Sequence, residues 1–161
     1  MSGRLFQEVH VVNAMPAANQ AAYEDIFNGS PSTDIVNLGK YEKCLWILQK
    51  AAGATGSAVI TVGSCDTVVP GTATAVAFNY WTCTSGDTWS DMQTATSAGF
   101  TTTVGTDQAY AIEINSSELY STDKYARMTM TESVNDPVDG TVVCIMGGGR
   151  SVHEVSDTAI V

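Results

Sequence analysis

The chain has 161 residues, enough for one domain with a hydrophobic core. Hydrophobic residues make up 44% and charged residues only 15%, and abundant threonine favours β-structure with hydroxyl-rich outer faces. The formal net charge of −10, with 7 lysines and arginines, argues against nucleic acid and anionic membranes as partners, because few cations are present to displace phosphate counterions.

The cellular compartment is predicted from sequence features that were searched for and not found. No apolar run is long enough for a signal-peptide core or a membrane helix, which predicts synthesis in a cytoplasm. Cys44, Cys65, Cys83 and Cys144 are far apart, and no C-x-x-C pair points to zinc or redox chemistry. The sequence therefore predicts four free, mostly buried thiols.

Residues 1–31 differ in composition from the rest of the chain. "RLFQEVHVV" could pair as a strand, but the remainder is rich in alanine and asparagine, with two prolines. A segment this short cannot bury its own apolar side chains, and ordering it costs about 1–2 kcal/mol per residue in backbone entropy. We therefore expect an extended arm whose anchors contact a partner: Leu5, Phe6, Val9 and Phe27.

From Ile35 onward the pattern is strand, turn, strand, with Gly, Pro, Asp or Ser in every gap. One helical turn is expected within "INSSELYSTDKY". The predicted strands are 35–51 (bent at Gly39), 57–65, 72–84, 99–104, 108–115, 124–133 and 140–146. This pattern predicts an all-β domain over residues 32–149, an antiparallel β-sandwich or jelly-roll-like fold.

The stretch "AVAFNYW" has no clean polar face. Period-two alternation puts Val76, Phe78 and Tyr80 on one side and Ala75, Ala77 and Trp81 on the other. A strand that is apolar on both faces is often covered on both, which predicts contact with another subunit.

No motif indicates catalysis. Gly147–Gly149 lacks the lysine and helix of a phosphate loop, so it predicts the end of a strand and a hinge. His10 and His153 have no nucleophile in a suitable context, and "NDPVDG" lacks calcium-loop spacing and predicts a hairpin turn. The sequence predicts no enzyme, cofactor or metal. Behind the glycines, residues 150–161 form a short tail whose Val152 and Val155 are further expected partner contacts.

The order of these features resembles the capsid decoration (cement) proteins of tailed bacteriophages. The resemblance covers residues 35–150 and is carried by "A-x-x-F-x-Y-W" (75–81), "Y-x-I-E-I" (110–114) and a last apolar strand before glycines. It implies a structural protein on the capsid exterior that bridges major capsid protein subunits, is made in the host cytoplasm and forms a homo-oligomer, commonly a trimer. The family has no catalytic residues to carry over.

Other functions are compatible with the same residues. A head fibre base or tail-tube subunit is one alternative, although tail tubes usually combine a β-barrel with a helix and this sequence shows no good helix. A carbohydrate-binding β-sandwich module that uses Trp89 or Tyr80 is another, from a different class.

Overall fold

The structure, a computed structural model, describes residues 8–15, 25–51, 55–69, 72–105 and 108–149. Within these ranges the chain forms two antiparallel sheets and one 3-10 turn, Ser116–Glu118. The strands are β1 (His10–Asn13), β2 (Val36–Asn37), β3 (Tyr41–Lys50), β4 (Ser57–Cys65), β5 (Thr74–Val76), β6 (Phe78–Ser85), β7 (Thr88–Trp89), β8 (Gln93–Ala95), β9 (Phe100–Thr101), β10 (Gln108–Asn115), β11 (Tyr125–Val134) and β12 (Gly140–Gly149). The expected all-β sandwich is confirmed.

The described strands divide into a larger and a smaller sheet. The larger has seven strands in the order β1-β12-β3-β10-β6-β7, with β8 also paired to β6. The smaller has five in the order β2-β11-β4-β5, with β9 also paired to β4. Alternate residues of each strand point into the space between the sheets, where Trp46, Leu48, Ile60, Ile112 and Met128 are each 0% exposed.

The strand boundaries follow the sequence pattern closely, with two informative exceptions. The predicted strand 35–51, bent at Gly39, is two strands, because β2 belongs to the smaller sheet and the chain enters the larger one at Tyr41. β4 and β10 have the bounds that the alternation predicts, and the helical turn is present. The single predicted strand 72–84 is two strands, because the chain leaves the smaller sheet after Val76 and enters the larger one at Phe78. β7 and β8 were not predicted, since two or three residues are too few to show a period.

The described parts of segment 1–31 belong to the sandwich and do not extend away from it. β1 pairs with β12, and the Ala14 amide donates to the Val142 carbonyl oxygen at 3.2 Å. Ile26 is 0% exposed, and the Met130 amide donates to the Pro31 carbonyl oxygen at 2.9 Å. Deleting residues 1–31 would therefore remove core side chains and an edge strand, which corrects the expectation of a separate arm with the domain beginning at residue 32.

The glycine run is itself part of the sheet, and β12 ends with it at Gly149, the last residue that the structure describes. β12 stays paired to β3 as far as Gly149, opposite Tyr41. Gly148 alone has a left-handed backbone, with φ of +66°, and a β-carbon there would lie 2.8 Å from that of Glu42. The run is a kink inside a strand, and glycine is needed at its centre.

The segment "NDPVDG" also differs from the expected hairpin turn. It joins β11 of the smaller sheet to β12 of the larger sheet, so it closes one end of the sandwich. Its own Val138 is 0% exposed, and the Asp136 carboxylate accepts hydrogen bonds from the amide and hydroxyl of Thr55, at 3.1 and 2.9 Å. The Asp136 carboxylate therefore orders the connection between the sheets.

Candidate protein-binding surfaces

The solvent side of the larger sheet carries a continuous apolar area. Register places Val11, Ile145 and Leu45 side by side in one row across β1, β12 and β3. The next row runs across β12, β3, β10 and β6. We call these two rows the outer patch: Val11, Leu45, Ile47, Trp81, Ala111, Val143 and Ile145.

Polar groups surround the outer patch. Glu113 and Asn79 continue the first row, and Gln49 and Thr141 belong to the row on the far side. Val11 is 42% exposed, and most of the other members are half-buried. From β1 to β6 the patch spans four strand spacings, or about 19 Å. An apolar centre with a polar rim is the usual composition of a protein–protein contact.

A second surface feature is an open groove at one lateral edge of the sandwich, with a volume of about 640 Å³. Its floor is formed by residues 75–78, where the chain passes from β5 to β6, together with Ala95 of β8 and Leu119, which follows the 3-10 turn. We call this feature the groove, with an apolar lining of Ala75, Val76, Ala77, Phe78, Ala95 and Leu119. Tyr120, 60% exposed, stands at its rim.

An acidic hollow of about 270 Å³ adjoins the groove, and Tyr120 lines both. Asp66 and Asp123 supply its carboxylates. The buried Ser64 hydroxyl donates to Asp123 Oδ2 at 2.7 Å and accepts from the Tyr120 amide at 3.0 Å, which fixes the aspartate relative to the tyrosine. Cys65, the residue before Asp66 in the chain, has a thiol on which the positive charge of Arg127 acts.

The core contains an unusual cation. Lys50 is 0% exposed, and its Nζ donates to the carbonyl oxygens of Gly56 and Thr103, each at 2.9 Å. Nζ also lies 5.7 Å from the centroid of the Phe27 ring. Burial lowers the pKa of Lys50 from its ordinary value. The ammonium joins the end of β3 to two loops, which is a structural role.

Two thiols lie together between β3 and β12. Cys44 Sγ and Cys144 Sγ are 3.1 Å apart, and both side chains are 0% exposed. Burial, reinforced by the hydrogen bond between the two thiols, raises the pKa of Cys44 well above its ordinary value. A thiol that resists ionisation is a poor nucleophile, so this pair is unsuited to rapid redox chemistry.

The aromatic side chains that could hold a sugar ring have different surroundings. Tyr80 is stacked on Phe100, with ring centroids 3.9 Å apart and planes 2° from parallel, and its hydroxyl donates to Gln93 Oε1 at 2.8 Å. One face of Tyr80 is therefore occupied. Trp89 is 42% exposed on β7.

The predicted partner residues have different locations. Leu5, Phe6, Val152 and Val155 lie outside the described residues, and Val9 is half-buried just before β1. Phe27 is 1% exposed in the core of its own chain, beneath the ammonium of Lys50. Its expected role as a partner contact is corrected, because a side chain covered on all sides offers no surface to another molecule.

In the part of the chain that the structure describes, no three His, Cys, Asp or Glu residues are grouped so that they could hold a metal ion. Nor is any helix within those ranges both long and apolar enough to cross a membrane. Comparison with protein-family models, with curated proteins and with solved structures finds no match.

Sequence reasoning identified the outer patch and the groove only in part. The stretch 75–81, whose two apolar faces predicted contact with another subunit, supplies Trp81 of the outer patch and residues 75–78 of the groove. A signal for the patch was present, because "CLWIL" in β3 and "TVVCIM" in β12 have no polar alternation. The rest of the groove lining gave no such signal, since Ala95 and Leu119 come from segments far apart in the chain that only the fold brings beside residues 75–78.

Proposed function

We propose that this chain is a structural protein of a bacteriophage virion that binds the outer surface of the capsid and bridges subunits of the major capsid protein. The observation that carries the proposal is the outer patch, an apolar area about 19 Å wide on a sheet that could have faced water with polar side chains. The resemblance of residues 35–150 to capsid decoration proteins directs it to the capsid.

The chemistry of the chain is consistent with a binding role. Three groups with a shifted pKa, Lys50 and the thiols of Cys44 and Cys65, are each 0% exposed and have no access to a substrate. The carboxylates of Asp123 and Asp136 are engaged in hydrogen bonds that hold loops in place. These groups stabilise a scaffold, and the scaffold presents the outer patch.

Two valines allow a matched test. Val143 lies in the outer patch, whereas Val59 lies on the solvent side of the smaller sheet, and both are half-buried. Val143→Asp should weaken binding to particles assembled without this protein by at least about tenfold, since burying an unpaired carboxylate in an interface costs more than the 1.4 kcal/mol that a tenfold change represents. Val59→Asp should bind like the wild type.

Cosedimentation with the particles measures the affinity, and urea unfolding of both variants shows that they remain folded. Electron microscopy of the decorated particle locates the chain and gives its copy number. A wild-type chain that does not bind particles would overturn the proposal. Equal binding by the two aspartate variants would instead show that the outer patch is not the surface that contacts the capsid.

A further inference from the structure

We infer that the groove and the acidic hollow bind the N-terminal segment Arg4-Leu5-Phe6 of a second copy of this chain. The inference does not depend on the capsid proposal, because it concerns contacts between identical copies. It rests on the match between the two surfaces and the segment, and on the distance between them.

The match is one of polarity and charge. The groove has an apolar floor, and the hollow beside it carries the carboxylates of Asp66 and Asp123, with Tyr120 shared between them. A complementary ligand has large apolar side chains directly next to a cation. The sequence Arg4-Leu5-Phe6 provides that arrangement, and Arg4 is one of only 7 basic residues in the chain.

The distance favours a second copy over the same molecule. β1 fixes the chain from His10 onward at one edge of the larger sheet. Asn79, in the groove lining, lies four strands away, or about 19 Å. Even a fully extended chain puts the α-carbons of Phe6 and Leu5 no more than about 14 and 18 Å from that of His10. Within one molecule, the side chains would reach the groove only if the whole segment lay fully extended across the sheet, whereas a neighbouring copy does not need this extended conformation.

The topology of the larger sheet allows copies in the same orientation to make this contact. Each pairing along the path from β1 through β12, β3 and β10 to β6 is antiparallel, so β1 and β6 run in the same direction. The segment before His10 thus leaves the sheet at the end where Ala77 enters the groove. When copies stand side by side in one orientation, the N-terminal segment of one is level with the groove of the next, and repetition of this contact gives a ring or an open chain.

Cysteine cross-linking tests the contact in the full-length chain. Two differently tagged chains are coexpressed, one with Phe6→Cys and the other with Ala77→Cys, and copper-catalysed air oxidation then removes two protons and two electrons from a thiol pair. Ala77 is exposed, so the substitution should leave the fold intact, and the four native thiols are buried. We expect a covalent heterodimer of the two tags on a non-reducing gel.

The control pairs Phe6→Cys with Val69→Cys, since Val69 is 85% exposed and lies outside the groove. Heterodimer formation no greater than in this control would overturn the inference. So would a bond formed only within one chain when Phe6→Cys and Ala77→Cys are combined in the same molecule.

Charge reversal tests the hollow separately. Arg4→Glu in the chain that carries Phe6→Cys should reduce the cross-linking yield severalfold. Asp66→Arg in the partner chain should restore the yield, because the reversed pair attracts again. Unchanged yield with Arg4→Glu would overturn the assignment of the arginine to the hollow. Particle binding, measured independently, distinguishes failure of this contact from failure of the capsid proposal.

Discussion

Replacing Phe27 by alanine tests whether this ring is a core residue or a partner contact. The ring is 1% exposed, and truncation of a buried phenylalanine lowers the free energy of unfolding by about 3–5 kcal/mol. Part of that loss is the interaction with the Lys50 ammonium, 5.7 Å from the ring centroid, which contributes about 0.5–2 kcal/mol in a desolvated site.

The size of the change makes it easy to measure. A domain of this length should unfold in urea with a slope of about 2 kcal/mol per molar, so a loss of about 4 kcal/mol lowers the midpoint by about 2 M. Since native domains have a free energy of unfolding of about 5–15 kcal/mol, the variant should still fold in buffer unless the chain is at the lower end of that range.

Equilibrium urea unfolding followed by tryptophan fluorescence is the assay. Val69→Ala is the control, because a side chain that is 85% exposed should change the free energy of unfolding by no more than about 0.5 kcal/mol. A double-mutant cycle of Phe27→Ala with Lys50→Met should give a coupling energy of about 0.5–2 kcal/mol. A loss of stability below about 1 kcal/mol, together with lost particle binding, would refute the core assignment.

Two further predictions concern buried titratable groups. Burial holds the pKa of Lys50 in the folded protein below its ordinary value of 10.5. Below the folded-state pKa, the buried charge destabilises the folded protein to the full extent. This destabilisation is relieved as the pH rises from the folded-state pKa to 10.5, because the lysine loses its proton more readily in the folded than in the unfolded chain. Relative to Lys50→Met, the wild type should therefore gain stability over this interval in urea unfolding, and parallel curves from neutral pH to 10.5 would contradict the lowered pKa. Thiol titration without reductant should show little reaction in the native protein and four reactive cysteines after denaturation, and finding only two would mean that Cys44 and Cys144 are joined by a disulfide.

The strands were predictable because their side-chain alternation is a local property. In β4 and β10 each buried residue is followed by a more exposed one over most of the strand, so the sequence records which face meets the core. The fold class was predictable for a similar reason. Threonine-rich strands that alternate in polarity, without helical periodicity, are compatible with few architectures other than a sandwich or a barrel.

The places where prediction failed are those where residues distant in the chain decide the outcome. Segment 1–31 is poor in alternation, and nothing in it shows that β1 would pair with β12 or that Phe27 would meet Lys50. Gly147–Gly149 was expected to end a strand, and β12 ends at Gly149 in the described part of the chain, but the sequence did not show that pairing with β3 continues through the kink at Gly148 to that point.

The sequence by itself determined the longer strands and their inward faces, and it contains no recognisable catalytic motif, because each of these properties depends on residues within a few positions of one another. Only the tertiary structure decided which strands are neighbours. That order aligned Val11, Ile145 and Leu45 into one apolar row and set the groove on the edge opposite β1, because hydrogen-bonded register joins positions as far apart in the chain as 11 and 145.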